Sequence, residues 1–235
     1  MLISTAAASN EDSRDPVVWL SEAAIHYHGP ITKSGSKDLR ITYASARVPI
    51  QWLEITSNGG EINASMDLGD WVYANKINVR VNDHCLSACA NYVFTAGTIK
   101  AIEPDAIVAW HGSAIQSEEK SRREISKVIE RDVLPGTAHA DRPVLKAQLL
   151  DDTLAYLHAS RIRQAQFFAK IGVDERLTTI GEDHKEVRDF WFLSPAAMRQ
   201  LGLRSMSVPP NYSATDTSRF GDQSIRYVEI DLESD

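Results

Sequence analysis

Two cysteines, Cys85 and Cys89, are all that the 235 residues contain. That excludes a disulfide framework of the kind that replaces a core in small secreted domains, and it leaves the redox compartment open. No run approaches the roughly 18 consecutive apolar residues of a membrane helix, so no membrane span is expected. Basic charge is not in excess either. The 25 Lys and Arg against 32 Asp and Glu give a formal net charge of -7, which argues against a nucleic-acid surface. Met1 to Asn10 lacks the basic start and apolar stretch of a secretory signal. Ala6-Ala7-Ala8 nevertheless fits the small-residue end of a trimmed one. The expectation is therefore an exported or periplasmic protein if a signal has been removed, and a cytoplasmic one otherwise. No internal repeat occurs, and no cofactor is expected.

What is present is ordinary for a globular chain with a full core: 43% hydrophobic and 24% charged residues. Residues 1–22 read as an N-terminal extension, although Ala24-Ile25-His26-Tyr27-His28 alternates like a strand. A turn and helix start follow at Ser34 to Asp38, with Ser36 or Asp38 as caps. Ile50 to Thr56 is a strand rich in bulky residues and runs into Gly59-Gly60. Beyond the glycines, Ile62, Met66, Gly69, Val72 and Tyr73 share one helical face. Ile77 to Val81 is a second strand, a helix opens at Ser87, and Ala106 to Trp110 is a third strand. Strand, helix, strand, helix, strand over residues 50–111 implies right-handed crossovers and a largely parallel sheet.

Residues 115–172 read as a helical insertion. Ser117 to Val133 carries both charge signs and reads as a solvated helix, whereas Leu150, Leu154, Leu157, Ile162, Ala165 and Phe168 form a core-facing stripe. Arg188 to Leu203 reads as a strand and a helix with Phe190 to Leu193 buried. Residues 207–235 form a tail with an edge strand near Ser224 to Ile230.

Acyl transfer needs a nucleophile, a base, a group that orients the base, and donors for the developing oxyanion. Gly59-Gly60 ends the first strand, where missing Cβ atoms let backbone N–H groups approach a ligand. Ser87 follows Gly60 by 27 residues, at the start of a helix, and His111 follows Ser87 by 24, at the end of the next strand. Open α/β folds gather their sites at strand carboxyl ends, so the three elements can converge. Taken singly, each is weak. A serine before a helix is most often a cap, and two glycines are usually a turn. Cys85 and Cys89 flank Ser87 and have three readings: a disulfide pinning the turn, metal ligands together with His84, or two small buried residues.

In this order and spacing, Leu53 to Gly60 resembles the oxyanion-loop strand of Clp-type serine proteases and the wider crotonase-like superfamily. Ser87 to Gly97 resembles their nucleophile helix, and Ile107 to His111 their histidine strand. Phe192 to Met198 with Leu201-Gly202-Leu203 is similar to the segment that closes those domains. The Cys-Leu-Ser-Ala-Cys motif resembles bacterial ClpP-like proteins, many of them thought to be exported. The resemblance covers roughly residues 25–206, and implies a ClpP/crotonase-like domain over residues 23–206. That fold is a repeated ββα spiral with a largely parallel sheet, here with extra helices after the histidine strand. It implies Ser87 as nucleophile, His111 as base and the N–H groups of Gly60 and Ala88 as the oxyanion hole. Asp183 would be the triad acid, with Asp189 and Glu186 as rivals. A peptide or protein substrate and a homo-oligomer follow from the same resemblance. Two other classes share it: a crotonase-type enzyme on acyl-CoA thioesters, and a silent peptide-binding scaffold. A Ser87 remote from His111 would favour the scaffold.

Overall fold

A computed structural model describes residues 15–114, 118–183 and 189–230, and the side chains of these residues other than those of Glu118, Lys120, Glu182 and Asp183. Val17–Leu20 (β1) pairs antiparallel with Ala24–His28 (β2), so the sheet already begins within the stretch expected to be an extension. Helix α1 spans Lys33–Ala44 and is capped by Thr32, whose hydroxyl accepts the Gly35 N–H at 3.0 Å. The expected caps are therefore corrected. Thr32 has the extended backbone that aims its oxygen at a first-turn donor, while Ser36 is buried inside the helix and donates to the Ala64 carbonyl.

Strand β3, Trp52–Ser57, alternates its burial at every residue and runs parallel to β2. Helix α2, Ile62–Ala74, opens on Glu61, whose carboxylate accepts the N–H groups of Asn63 and Ala64. Met66, Gly69 and Val72 are buried as expected, but Tyr73 is 43% exposed. The buried line runs through Ser65, Leu68 and Val72 and so leaves Tyr73 off the face. Gly69 lets this helix press against the backbone of Tyr92.

Strand β4 is longer than the expected 77–81 and covers Asn78–Leu86. Its first half pairs with Lys100–Ile102 (β5) and its second half with Ile107–Ala109 (β6), both parallel. An irregularity against β3 between Ile55 and Ser57 marks the change of partner. The molecule is thus α/β, with a mostly parallel mixed sheet in the order β1-β2-β3-β4-β5 and then the short strand Met206–Ser207, with β6 branching from β4. One face is covered by apolar packing. On the other, Glu54 accepts from Arg80 and Asn82, while Arg80 lies 3.1 Å from Glu103 and over the Trp52 ring. Parallel sheets are ordinarily covered on both faces; here ion pairs and long side chains clothe the second.

The chain divides into two compact units, Met1–Ser113 with Phe167–Asp235, and Ala114–Gln166. In the second, Glu118–Val128 (α3) continues as a wide turn through Ile129–Val133. Glu119, Arg122, Arg123, Glu124 and Lys127 are exposed, but Ile125 and Ile129 are buried. Helix α4, Arg142–Ile171, runs from this unit into the first. Its expected stripe is partly corrected: Phe168 is buried, whereas Ile162 is 52% exposed and Ala165 is also exposed. The buried positions follow Ser160, Gln164 and Phe168, spaced by one helical turn, and Ile162 falls between them.

The closing segment holds β7, Phe190–Leu193, and α5, Pro195–Gln200, followed by the short strand β8, Met206–Ser207, against β5. Within the stretch read as a tail, β9, Ile225–Val228, pairs parallel with β7. Among the described residues no helix is long and apolar enough to cross a membrane.

Candidate active site

Ser87 follows directly on β4 and holds φ at 56°, in the left-handed region where a side chain is strained. Three neighbours hold it there. Its N–H donates to the Ala109 carbonyl at 2.9 Å, which extends the pairing of β4 with β6 by one residue. Its carbonyl accepts the Asn91 N–H at 2.9 Å, the first turn of the buried helix Cys89–Phe94, which is wound wider than an α-helix. Behind it, Gly59 passes so close that a Cβ there would stand 2.8 Å from the Ser87 Cβ. A strained residue between a strand and a helix lifts its side chain clear of both.

His111 arrives from β6, which has neighbours on both edges. On one edge it pairs with β4; on the other, the Tyr212 hydroxyl accepts the Val108 N–H at 3.1 Å and donates to the Val108 carbonyl at 3.2 Å. Trp110 and Trp191 then exchange two backbone bonds of 2.8 Å, tying the strand end to β7. These restraints deliver the His111 Nε2 to 2.5 Å from the Ser87 Oγ. The imidazole is half-buried, with the Phe190 ring 4.7 Å away. In this arrangement a neutral imidazole can take the hydroxyl proton as the oxygen attacks.

The glycine pair divides its work. Gly60, at φ 156°, lies against the backbone of Ile31, where a Cβ would collide. Ile31 accepts from the Glu61 N–H and donates to the Gly59 carbonyl. In a trans peptide the N–H points opposite to the preceding carbonyl, so the Gly60 N–H is turned away from Ile31, which holds the Gly59 carbonyl. The Ala88 N–H lies next to Ser87 at the helix start, where backbone donors face outward.

Of the three acids, Asp189 accepts the backbone N–H of Ser224 at 2.9 Å, which engages it where β9 begins. The Asp183 side chain and all of Glu186 lie outside the described residues. The backbone turn Ile180–Asp183 is described, and its Gly181 packs against the Trp191 indole with no room for a Cβ. Since Trp191 bonds to Trp110, this places the turn beside the strand that carries His111.

Cys85 and Cys89 form a disulfide across Ser87, with Cα atoms 5.3 Å apart, and both are fully buried. Of the three readings open from sequence, the structure takes the disulfide. His84 turns instead to the Asp83 carboxylate at 2.9 Å, and burial holds its pKa below the usual imidazole value although Asp83 opposes that shift. Among the described residues no cluster of His, Cys, Asp or Glu could hold a metal ion.

Two residues of the site went unnoticed in sequence, Asn91 and Tyr212, while Trp191 was expected to be buried but not to bond to Trp110. Asn91 could have been found by asking why an amide stands inside the run Cys89 to Phe94. Tyr212 carried no signal, because its partner lies 104 residues away. Compared with family models and with curated protein sequences, the chain finds no match.

Proposed function

We propose that the protein is a serine hydrolase, in first place a Clp-like peptidase built on a ClpP/crotonase-like fold. The observation that carries this reading is the 2.5 Å contact between the Ser87 hydroxyl and the His111 Nε2, made by a serine at φ 56°. A Ser87 remote from His111 would have favoured the scaffold reading; the contact favours the hydrolase. A crotonase-type enolate needs no such pair, and nothing in the site's geometry favours it over acyl transfer.

In the proposed reaction the Ser87 Oγ attacks the substrate carbonyl carbon as His111 Nε2 takes the hydroxyl proton. The carbonyl oxygen becomes an oxyanion held by the N–H groups of Gly60 and Ala88. Collapse breaks the bond to the leaving amine, which receives the proton from His111, and an acyl-Ser87 ester remains. Water, activated by the same imidazole, releases the acid and restores the hydroxyl. Asp183 is the proposed partner of His111 Nδ1, on the strength of the resemblance and of the Gly181–Trp191 contact. The substrate is a peptide or protein, the working form a homo-oligomer, and the buried disulfide suits an exported protein in an oxidising compartment.

Turnover of small activated esters and of a fluorogenic peptide library tests this reading. The wild type is expected to exceed both Ser87→Ala and His111→Ala by about 1,000-fold or more in kcat. A wild type no faster than the folded Ser87→Ala variant would count against it.

A further inference from the structure

Asn91 is 2% exposed in a helix whose neighbours Cys89, Ala90, Tyr92, Val93 and Phe94 are all buried. A buried amide is costly unless it is bonded, and an apolar side chain of similar size would fill the same space without that cost. Its Nδ2 donates to the Gly112 carbonyl at 3.0 Å, while its Oδ1 has no hydrogen-bond partner among the described residues. Because the acceptor is a carbonyl, only the NH2 end of the amide can face it. The same residue donates its backbone N–H to the Ser87 carbonyl. Asn91 is therefore bonded on one side to the nucleophile's own residue and on the other to the residue that follows His111. Gly112 stands at φ 114°, just beyond the last strand bonds of Trp110, where the backbone has left the ladder.

We propose that Asn91 is a positioning residue of the Ser87–His111 pair: its side-chain amide clamps the Gly112 carbonyl and so fixes the imidazole against the hydroxyl. This rests on the hydrolase reading. The amide itself touches no reacting atom. Its loss lets the 111–113 turn relax away from Ser87, which slows proton transfer without altering what the site binds. Misplacement on the order of 1 Å is enough to cost about 100-fold in rate.

The test is the inactivation of the protein by a fluorophosphonate, resolved into reversible affinity and first-order rate, across the pH range in which imidazole titrates. Asn91→Leu and Asn91→Ala are expected to lose about 10- to 100-fold in the first-order rate while the affinity holds. A merely structural role would lower the melting temperature and leave the folded protein's rate unchanged. Labelling of folded Asn91→Leu within about twofold of wild type overturns the positioning role alone. Absence of Ser87 labelling in the wild type removes the hydrolase reading and this proposal with it. In the wild type itself, nuclear magnetic resonance should detect scalar coupling across the bond from the Asn91 side-chain nitrogen to the Gly112 carbonyl carbon. Its absence overturns the proposal even if neither variant folds.

Discussion

At the scale of single residues, the backbone of Ser87 separates its structural role from its chemical one. A side chain at φ 56° carries a conformational penalty that glycine escapes. For L-residues that penalty is roughly 1–2 kcal/mol. Ser87→Gly and Ser87→Ala both remove the hydroxyl, but only the first relieves the strain. Ser87→Gly is expected to be the more stable by about 1 kcal/mol in urea unfolding. Equal stability would mean that the turn is relaxed with a Cβ in place. The proposed nucleophile and base, Ser87 and His111, and the glycines were legible in the sequence because their types and spacing are local properties of three strand ends. The acid was not. Asp183, preferred on the resemblance, and its rivals Asp189 and Glu186 all follow a long helical insertion, where no periodicity fixes the register.

At the scale of elements, the strands that lead into the site were legible from their bulky and apolar residues, and their ends were not. Strand β4 runs to Leu86 because its second half has a different neighbour, β6, which nothing within residues 82–86 announces. The cap of α1 was missed because Thr32, Ser36 and Asp38 are all competent by type and only the backbone at Thr32 is extended. Lys100 shows a related effect beyond the far end of the buried helix Cys89–Phe94. It is 5% exposed, and its ammonium donates to the carbonyls of Gly97 at 2.7 Å and Arg204 at 3.3 Å. These bonds join the end of that helix to the closing segment. Burial lowers the Lys100 pKa to about 8 from 10.5. Above about pH 8 the folded protein holds fewer protons at this site than the unfolded chain, so its contribution to stability rises until about pH 10.5 and is flat beyond. Lys100→Met removes that rise. The stability difference between wild type and variant should therefore grow in favour of wild type across this window, by something on the order of 1–3 kcal/mol. A difference independent of pH in parallel denaturation curves would show that Lys100 keeps its ordinary pKa.

At the scale of the whole molecule, the last residues described belong to the site's support. Strand β9 pairs with β7, Tyr212 closes the edge of β6, and Arg219 meets the Asp83 carboxylate at 3.1 Å and the Asp105 carbonyl at 2.6 Å. From the sequence this stretch read as a tail with an edge strand near Ser224 to Ile230. Outside that strand, the Tyr212 and Arg219 contacts are single side chains reaching more than 100 residues back, which leave no periodic mark. Tyr212 is fully buried, and burial pushes its phenol pKa up, so it remains a neutral donor. Tyr212→Phe leaves the Val108 N–H and carbonyl without that partner at a strand edge, a loss of about 1–3 kcal/mol. The same change should slow fluorophosphonate labelling, since β6 carries His111. A variant as stable and as reactive as wild type would detach the C-terminal segment from the site.

The most direct measurement of the central claim is covalent capture of the nucleophile. Treated with a fluorophosphonate and digested, the wild type should yield one modified peptide, phosphonylated at Ser87. The modification should be absent in Ser87→Ala and strongly slowed in His111→Ala. Labelling that persists in folded Ser87→Ala, or a wild type that remains unmodified, would contradict the account.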